Sequence, residues 1–317
     1  MSRHPFSWPA LARAVASLAF VSVVAGCVVA GASGTAAPAN LFFDDFSYAQ
    51  PGDLSAGGWQ LRDGVGHPGL PGGRFAAEAI TLLDDPQQPG NRVLRMTAST
   101  DGTGPGTVQS QLCHQRKYLQ GTYAARIRFS DAPRAGADGD PVIESFYAVA
   151  PLAHAFDPDF SELDWEYLPN GGWGSDKTRL YGVSWQTVQI DPWEAHNSAH
   201  EEFGSFDGWH TLLMQVTKAE VREFVDGRQV AVHDGRNVPV SPMTISFNLW
   251  FAVGGSLPTG GAPRVYDEDI DWVFHAKDQV LSPAEVDAQV RALRAEHVTR
   301  TDTVPAPNPP LQQRCDI

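Results

Sequence analysis

Ser161-Glu162-Leu163-Asp164-Trp165-Glu166-Tyr167 places three carboxylates at alternate positions. On an extended strand, alternate side chains share a face, so Glu162, Asp164 and Glu166 point one way and Leu163, Trp165 and Tyr167 the other. That parity suits one strand of a β-sandwich, with an apolar face toward a core and an acidic face toward a cleft. Three like charges on neighbouring sites of one face repel, so at least one carboxyl has reason to keep a proton above its ordinary pKa. Spacing alone fits two other readings, a solvated acidic strand face and a ligand set for a hard cation such as calcium.

Outward from this row, β-prone runs alternate with Gly, Pro and Asp turns from Leu41 to about Phe274, the pattern of a mainly antiparallel sandwich and not of a βαβ repeat. Strands are predicted at 92–98, 121–129, 142–150, 162–168, 180–190, 210–216, 220–225, 229–233 and 243–250. Asp226-Gly227 suits a tight turn with positive φ and predicts a hairpin. Residues 134–141 and 196–206 read as loops, and 254–263 as a Gly/Pro loop. Ser282-Pro283-Ala284-Glu285 combines an N-cap, Pro at the first helical position and Glu at the third. With Val286, Val290 and Leu293 on one stripe, it predicts a C-terminal helix of roughly four turns. Residues 305–310 follow as an irregular tail.

The chain has 317 residues, enough for one large β domain or two smaller ones. Its formal charge of −14, from 37 acidic and 23 basic residues, argues against capture by nucleic acid or acidic lipid, and leaves neutral sugar polymers open. Arg3 and Arg13 flank an apolar run, Ala14 to Gly26, with the build of a secretion signal. Its end, Val24-Ala25-Gly26-Cys27, resembles a bacterial lipobox, which implies a lipidated Cys27. Residues 1–26 are therefore expected to be a lipoprotein signal peptide and 27–40 a flexible tether. Residues 41–276 would then be a catalytic β-sandwich and 277–317 a helix with an irregular tail. Two cysteines remain, Cys113 and Cys315: in an oxidising compartment they form either a bridge tying the tail to the sandwich or two free thiols.

Glu-Leu-Asp-Trp-Glu resembles the Glu-x-Asp-x-Glu signature of glycoside hydrolase family 16, and the resemblance continues in order through most of 41–275. It runs through Gly121-Thr122-Tyr123-Ala124-Ala125-Arg126-Ile127 and Ser145-Phe146-Tyr147, then Trp209-His210-Thr211 to Val225-Asp226-Gly227. Pro242-Met243 to Asn248-Leu249-Trp250 and Asp269-Ile270-Asp271-Trp272-Val273 complete it. The resemblance implies an all-β, concanavalin A-like jelly-roll sandwich of two antiparallel sheets, here with a short C-terminal helix. It also implies that Glu162 is the nucleophile, Glu166 the acid/base and Asp164 their modulator. Retaining hydrolysis needs two carboxyls roughly 5 Å apart, one charged and one protonated. Alternate-strand spacing sets the outer Cα atoms roughly 13 Å apart, so side-chain reach and strand bending must close the gap. The unbulged spacing is similar to family members acting on mixed-linkage glucans and galactans or transferring glycosyl groups.

On the strand ending at Trp250, parity turns Asn248 and Trp250 toward the cleft, where Asn can meet sugar hydroxyls and Trp can stack on a pyranose. Strand-end capping and core packing are the respective alternatives. Tyr147 is a candidate for substrate contact through the resemblance. Trp173 and Trp185 are candidates by position, each with a structural alternative; Trp193 lies nearby. His196, His200 and His210 match no compact metal motif, and no nucleophile elbow, phosphate loop or dinucleotide fingerprint is present. The hydrolytic cycle requires no metal or organic cofactor. Asp271 matches a family position that can contribute to a structural calcium site. Tyr147 in place of the commoner Trp, the added helix and the two cysteines are the departures from the family pattern.

The expected function is retaining hydrolysis of β-glycosidic bonds in a polysaccharide, endo-acting on a β-glucan or galactan. The expected protein is an exported monomer, anchored to a membrane through lipidated Cys27 or secreted without that lipid, and without nucleic-acid partners. The alternative is a non-catalytic carbohydrate-binding surface lipoprotein. A polysaccharide lyase on a related jelly roll is disfavoured, because an acidic row suits an anionic substrate poorly.

Overall fold

Alternating polarity becomes alternating burial along the strand that carries the acidic row: Leu163, Trp165 and Tyr167 are fully buried, while Glu162 and Glu166 on the other face are only partly covered. The computed structural model describes residues 39–254 and 259–316. The expected signal peptide, most of the tether and lipidated Cys27 lie outside the described residues, as does the middle of the 254–263 loop. In chain order the first strands are β1 (Leu41–Asp44), β2 (Gln60–Leu61), β3 (Gly64–Val65), β4 (Arg74–Phe75), β5 (Ile80–Asp84) and β6 (Arg92–Thr100). Next come β7 (Val108–Cys113), β8 (Gly121–Phe129), β9 (Val142–Val149), β10 (Glu162–Leu168), β11 (Arg179–Gln189) and β12 (Glu194–Phe203). The last are β13 (Gly208–Val216), β14 (Glu220–Val225), β15 (Arg228–Asp234), β16 (Ser246–Phe251), β17 (Arg264–Lys277) and, after helix α1 (Pro283–Ala295), β18 (Arg300–Asp302).

Their pairings make a two-layer jelly-roll sandwich, all antiparallel except where β4 meets β7. The inner sheet runs β2-β7-β16-β9-β10-β11-β12. The outer sheet runs β15-β14-β13-β8-β17, and the free edge of β17 is shared by β6-β5 and β1-β18. Between the layers lies one large apolar cluster that includes Leu163, Trp165, Tyr167, Phe146, Phe247 and Leu249 from the inner sheet and Ala125, Ile127, Met214 and Ile270 from the outer. Complete burial of a side chain of this size contributes about 1.5–3 kcal/mol, so Trp165 alone is a strong determinant of the β10 register. Gly182 sits across from Trp165 on β11, and a Cβ there would fall 2.2 Å from Glu223 Oε2. The glycine leaves room on β11 for the buried Glu223 carboxyl.

Ser282 caps α1 with the reciprocal Ser282/Glu285 box, and Val286, Val290 and Leu293 pack on Leu41, Phe43, Trp272 and Phe274 across the outside of the outer sheet. Asp226 and Gly227 adopt φ of 49° and 81°, giving the β14–β15 hairpin turn. Two readings need correction. Residues 196–206 are mostly strand, because β12 adds to the edge of the inner sheet; an edge strand exposed on both faces can be polar throughout. The run 243–250 begins as an irregular crossing, with Met243 bridged to Tyr118, and becomes regular strand only at Ser246.

Candidate active site

β10 lies in mid-sheet and pairs on both sides without a register shift, so its acidic residues define rows across the inner sheet. Glu166 lies between Ser145 and Tyr181, and the row continues through Ser145 to Asn248 and Gln111. Asp164 lies between Tyr147 and Val183, and Glu162 between Val149 and Trp185. A cleft of about 630 Å³ opens over these rows, within the range of small-molecule and oligosaccharide pockets. Its lining includes all three carboxyl residues together with Tyr147, Trp173, Trp185, Asn248 and Trp250.

Two indoles engage the acidic row. Trp185 donates its Nε1–H to Asp164 Oδ2 at 2.5 Å, and Trp173 donates to Glu166 Oε2 at 3.1 Å. Trp173 reaches there from the β10–β11 connection with φ of 48°, a conformation rare for a bulky residue. Arg179 braces that connection through Gly172 O and pairs with Glu201. Trp173 also packs on Trp250, with ring centroids 5.8 Å apart.

Burial is the main force on the carboxyls. It raises Asp164 well above the usual range, reinforced by the charges of Glu162 and Glu166 and opposed by the Trp185 N–H. Glu162 is pushed up to about 8 by burial and then by the charge of Glu166, against a hydrogen bond from Asp164. Glu166 is pushed up to about 7 by burial, against the Trp173 N–H and Arg179. A protonated Asp164 therefore has one oxygen receiving the Trp185 N–H and a proton available to Glu162. The row can hold protonated and ionised carboxyls side by side near neutral pH, the condition for paired acid and base chemistry.

No protein-family model matches the chain. Crh-like protein 1 of Aspergillus fumigatus is 28% identical over 125 residues, a stretch covering 36% of this chain and 30% of that protein. The chain thus spans less than a third of the length of the curated relatives it matches. Among solved structures, the Bacillus licheniformis β-glucanase superposes with a TM-score of 0.53 at 18% identity, over 75% of this chain and 98% of the other. The glycoside hydrolase family 16 endo-glucanase from Bacteroides ovatus, in complex with G4G3G-2F-DNP, gives 0.54 at 14% identity, over 73% and 98%.

The chain has the glycoside hydrolase family 16 fold.

Within that fold the expected site residues converge, but not all in the expected state. Asn248 is almost fully buried at the cleft floor, and its side-chain oxygen has no partner among the described residues. Trp250 both lines the cleft and packs on a small cluster with Phe75, Ile143 and Leu168, so the cleft and core readings hold together. Tyr147 borders the cleft, yet its hydroxyl is committed to the chain's own tail: it donates to the Cys315 carbonyl at 2.5 Å and accepts from Gln111 Nε2 at 2.5 Å. Cys113 and Cys315 form a disulfide. Asp271 is held by Arg126 at 2.8 Å, Arg294 at 2.7 Å and Asn91 at 2.8 Å, so its role in this chain is to dock α1 on the outer sheet. His196, His200 and His210 pair separately with Glu194, Glu202 and Asp226.

Sequence reasoning missed Gln111, Ser145, Tyr181, Asn197 and the tail residues Cys315 and Asp316, all of which line the cleft. Tyr181 was accessible in principle, since it lies opposite Glu166 in the β10–β11 pair. Val188 joins Trp185 on the cleft only because a register shift between Trp185 and Thr187 breaks simple alternation.

Proposed function

We propose that the chain is a retaining glycoside hydrolase of family 16 that cleaves β-glycosidic bonds within a polysaccharide, a β-glucan or galactan. One observation carries this reading: three mutually repelling carboxyls, Asp164 buried and Glu162 and Glu166 half-buried, stand on one strand face at the floor of an indole-lined cleft, with indole N–H groups holding Asp164 and Glu166. Glu162 attacks the anomeric carbon and Glu166 gives its proton to the leaving oxygen; the glycosyl–oxygen bond breaks as the Glu162 ester forms. Glu166, now a carboxylate, takes a proton from water, whose oxygen bonds to the anomeric carbon as the bond from that carbon to Glu162 breaks and frees the carboxylate. Asp164 assists by donating to the Glu162 carboxylate. Trp173, Trp185 and Trp250 offer faces to pyranose rings and Asn248 an unpaired amide oxygen.

Within the protein, the partners that favour negative charge, Trp173 and Arg179, gather on Glu166, whereas this cycle needs the charge on Glu162. A bound glycan supplies the reversal: positive charge developing at the anomeric carbon favours an anionic Glu162, and the glycosidic oxygen draws the proton to Glu166. We further propose that the protein is exported and held at a membrane by lipidated Cys27, acting there as a monomer.

The test is a panel of β-glucans and galactans incubated with the full chain, Glu162→Gln and Glu166→Gln. New reducing ends from at least one glycan are expected with the parent protein. Removing the acid/base is expected to cost about 10²–10⁴-fold in rate, and removing the nucleophile at least as much. A variant that keeps full turnover loses its assigned role, and a panel without products on any glycan leaves sugar binding without catalysis as the surviving reading.

A further inference from the structure

The cleft face of the inner sheet is open on one side only. On β10, β11 and β12, Glu162, Glu166, Tyr181, Trp185 and Asn197 are partly or fully accessible. On β7 and β16, Gln111, Cys113 and Ser246 share that face and are at most 1% exposed. Chain from the two ends of the fold covers them. Gln111 accepts from Arg62 Nη1 at 2.7 Å and donates to the Cys315 carbonyl at 2.9 Å. The Tyr147 hydroxyl donates to the same carbonyl. Gln313 Nε2 donates to Cys113 O at 2.8 Å and Gly58 O at 3.2 Å, and Arg62 pairs with Asp316 at 3.4 Å. The disulfide fixes Cys315 to β7 itself.

We propose that residues 313–316, latched by the Cys113–Cys315 disulfide and stitched to Arg62, are a specificity-determining wall. It ends the glycan cleft on its β7 side and limits the number of sugar units held there. The proposal rests on the reading of the cleft as a glycan site. These four residues belong to no helix or strand, so their position depends on the disulfide and a few side-chain hydrogen bonds. Tyr147 and Gln111, which would otherwise present polar groups to a sugar, spend them on the Cys315 carbonyl. Opening the latch would free those groups and the ground beneath the tail, adding binding surface without touching the acidic row.

The experiment reads binding, not turnover. Isothermal titration of full-length Glu162→Gln with β-glucan and galactan oligosaccharides of increasing length gives the length at which affinity stops rising. The same titration is run on Glu162→Gln/Cys315→Ser, with thermal melting as the check of folding. The plateau is expected to move to longer oligosaccharides by at least one sugar unit when the latch is broken, and reductant is expected to produce the same shift in Glu162→Gln. If Cys315→Ser does not fold, Gln313→Ala with Asp316→Ala in the disulfide-bonded chain carries the same expectation. An identical plateau length in folded proteins with and without the latch overturns the wall, as does absence of oligosaccharide binding. Because no products are read, a chain that binds with a shifted plateau but never hydrolyses keeps the wall and overturns only the proposed reaction.

Discussion

The indole Nε1–H of Trp185 donates to Oδ2 of Asp164 at 2.5 Å, and this bond links β11 to the middle of the acidic row. It lowers the Asp164 pKa against burial and the charges of three glutamates. Trp185→Phe keeps the ring and removes the donor. Asp164 should then hold its proton to still higher pH, seen as a higher midpoint pH in the ¹³C titration of its side-chain carboxyl. Loss of a hydrogen bond to a neutral carboxyl costs roughly 0.5–1.5 kcal/mol, so a fall in kcat/KM of up to about tenfold is expected. An unchanged midpoint would show that the indole does not govern Asp164.

The assignment of roles to Glu162 and Glu166 can be separated from the question of activity. With an activated aryl β-glycoside, Glu162→Ala plus azide should give the α-glycosyl azide, since azide replaces the missing nucleophile and attacks from its side. Glu166→Ala plus azide should give the β-glycosyl azide, since the glycosyl-enzyme still forms and azide replaces water. The opposite pair of products would exchange the two roles and agree with the protein partners that favour charge on Glu166.

Asp271 is buried between Arg126 of β8 and Arg294 of α1. Removing one member of a buried charged group leaves its partners uncompensated, at a cost of about 3–5 kcal/mol. Asp271→Ala should lower the free energy of unfolding in urea by that amount. Arg291→Ala, which breaks only the exposed i,i+4 pair with Asp287, should cost less than about 1 kcal/mol. Equal effects from the two substitutions would remove Asp271 as the dock for α1.

Glu144 and Glu268 are both fully buried, and neither oxygen of Glu268 has a hydrogen-bond partner among the described residues. Burial raises both carboxyls well above the ordinary glutamate value of 4.5, and the two repel. The unfolded chain ionises them near 4.5 while the folded chain keeps the protons, so their contribution is present below that value and lost as pH rises. Glu268→Gln removes one ionisable group, so the melting temperature of the variant minus that of the parent should be larger at pH 8 than at pH 4. A difference that does not change with pH would mean that Glu268 is already ionised in the fold.

The inner sheet was legible where side-chain parity and burial coincide. Leu163, Trp165 and Tyr167 announce a core face, and Phe247 with Leu249 does the same for β16. The capping box at Ser282 and the Asp226-Gly227 turn were readable because their signals are local. β12 was not, since a polar edge strand and a loop have similar composition. The bulge at Trp185 and Thr187 was also hidden, because an inserted residue changes which side chains face the cleft without leaving a mark in the sequence. In the site, residues on strands were found by alternation, whereas Cys315 and Asp316 reach the cleft through a contact spanning some two hundred residues. No periodicity encodes such a contact.

The most direct test of retaining glycoside hydrolysis is the anomeric configuration of the first product. Proton NMR during the early cleavage of whichever β-glycan the panel identifies should show the β-anomer appearing first and the α-anomer growing only by later mutarotation. First appearance of the α-anomer would contradict the covalent role of Glu162.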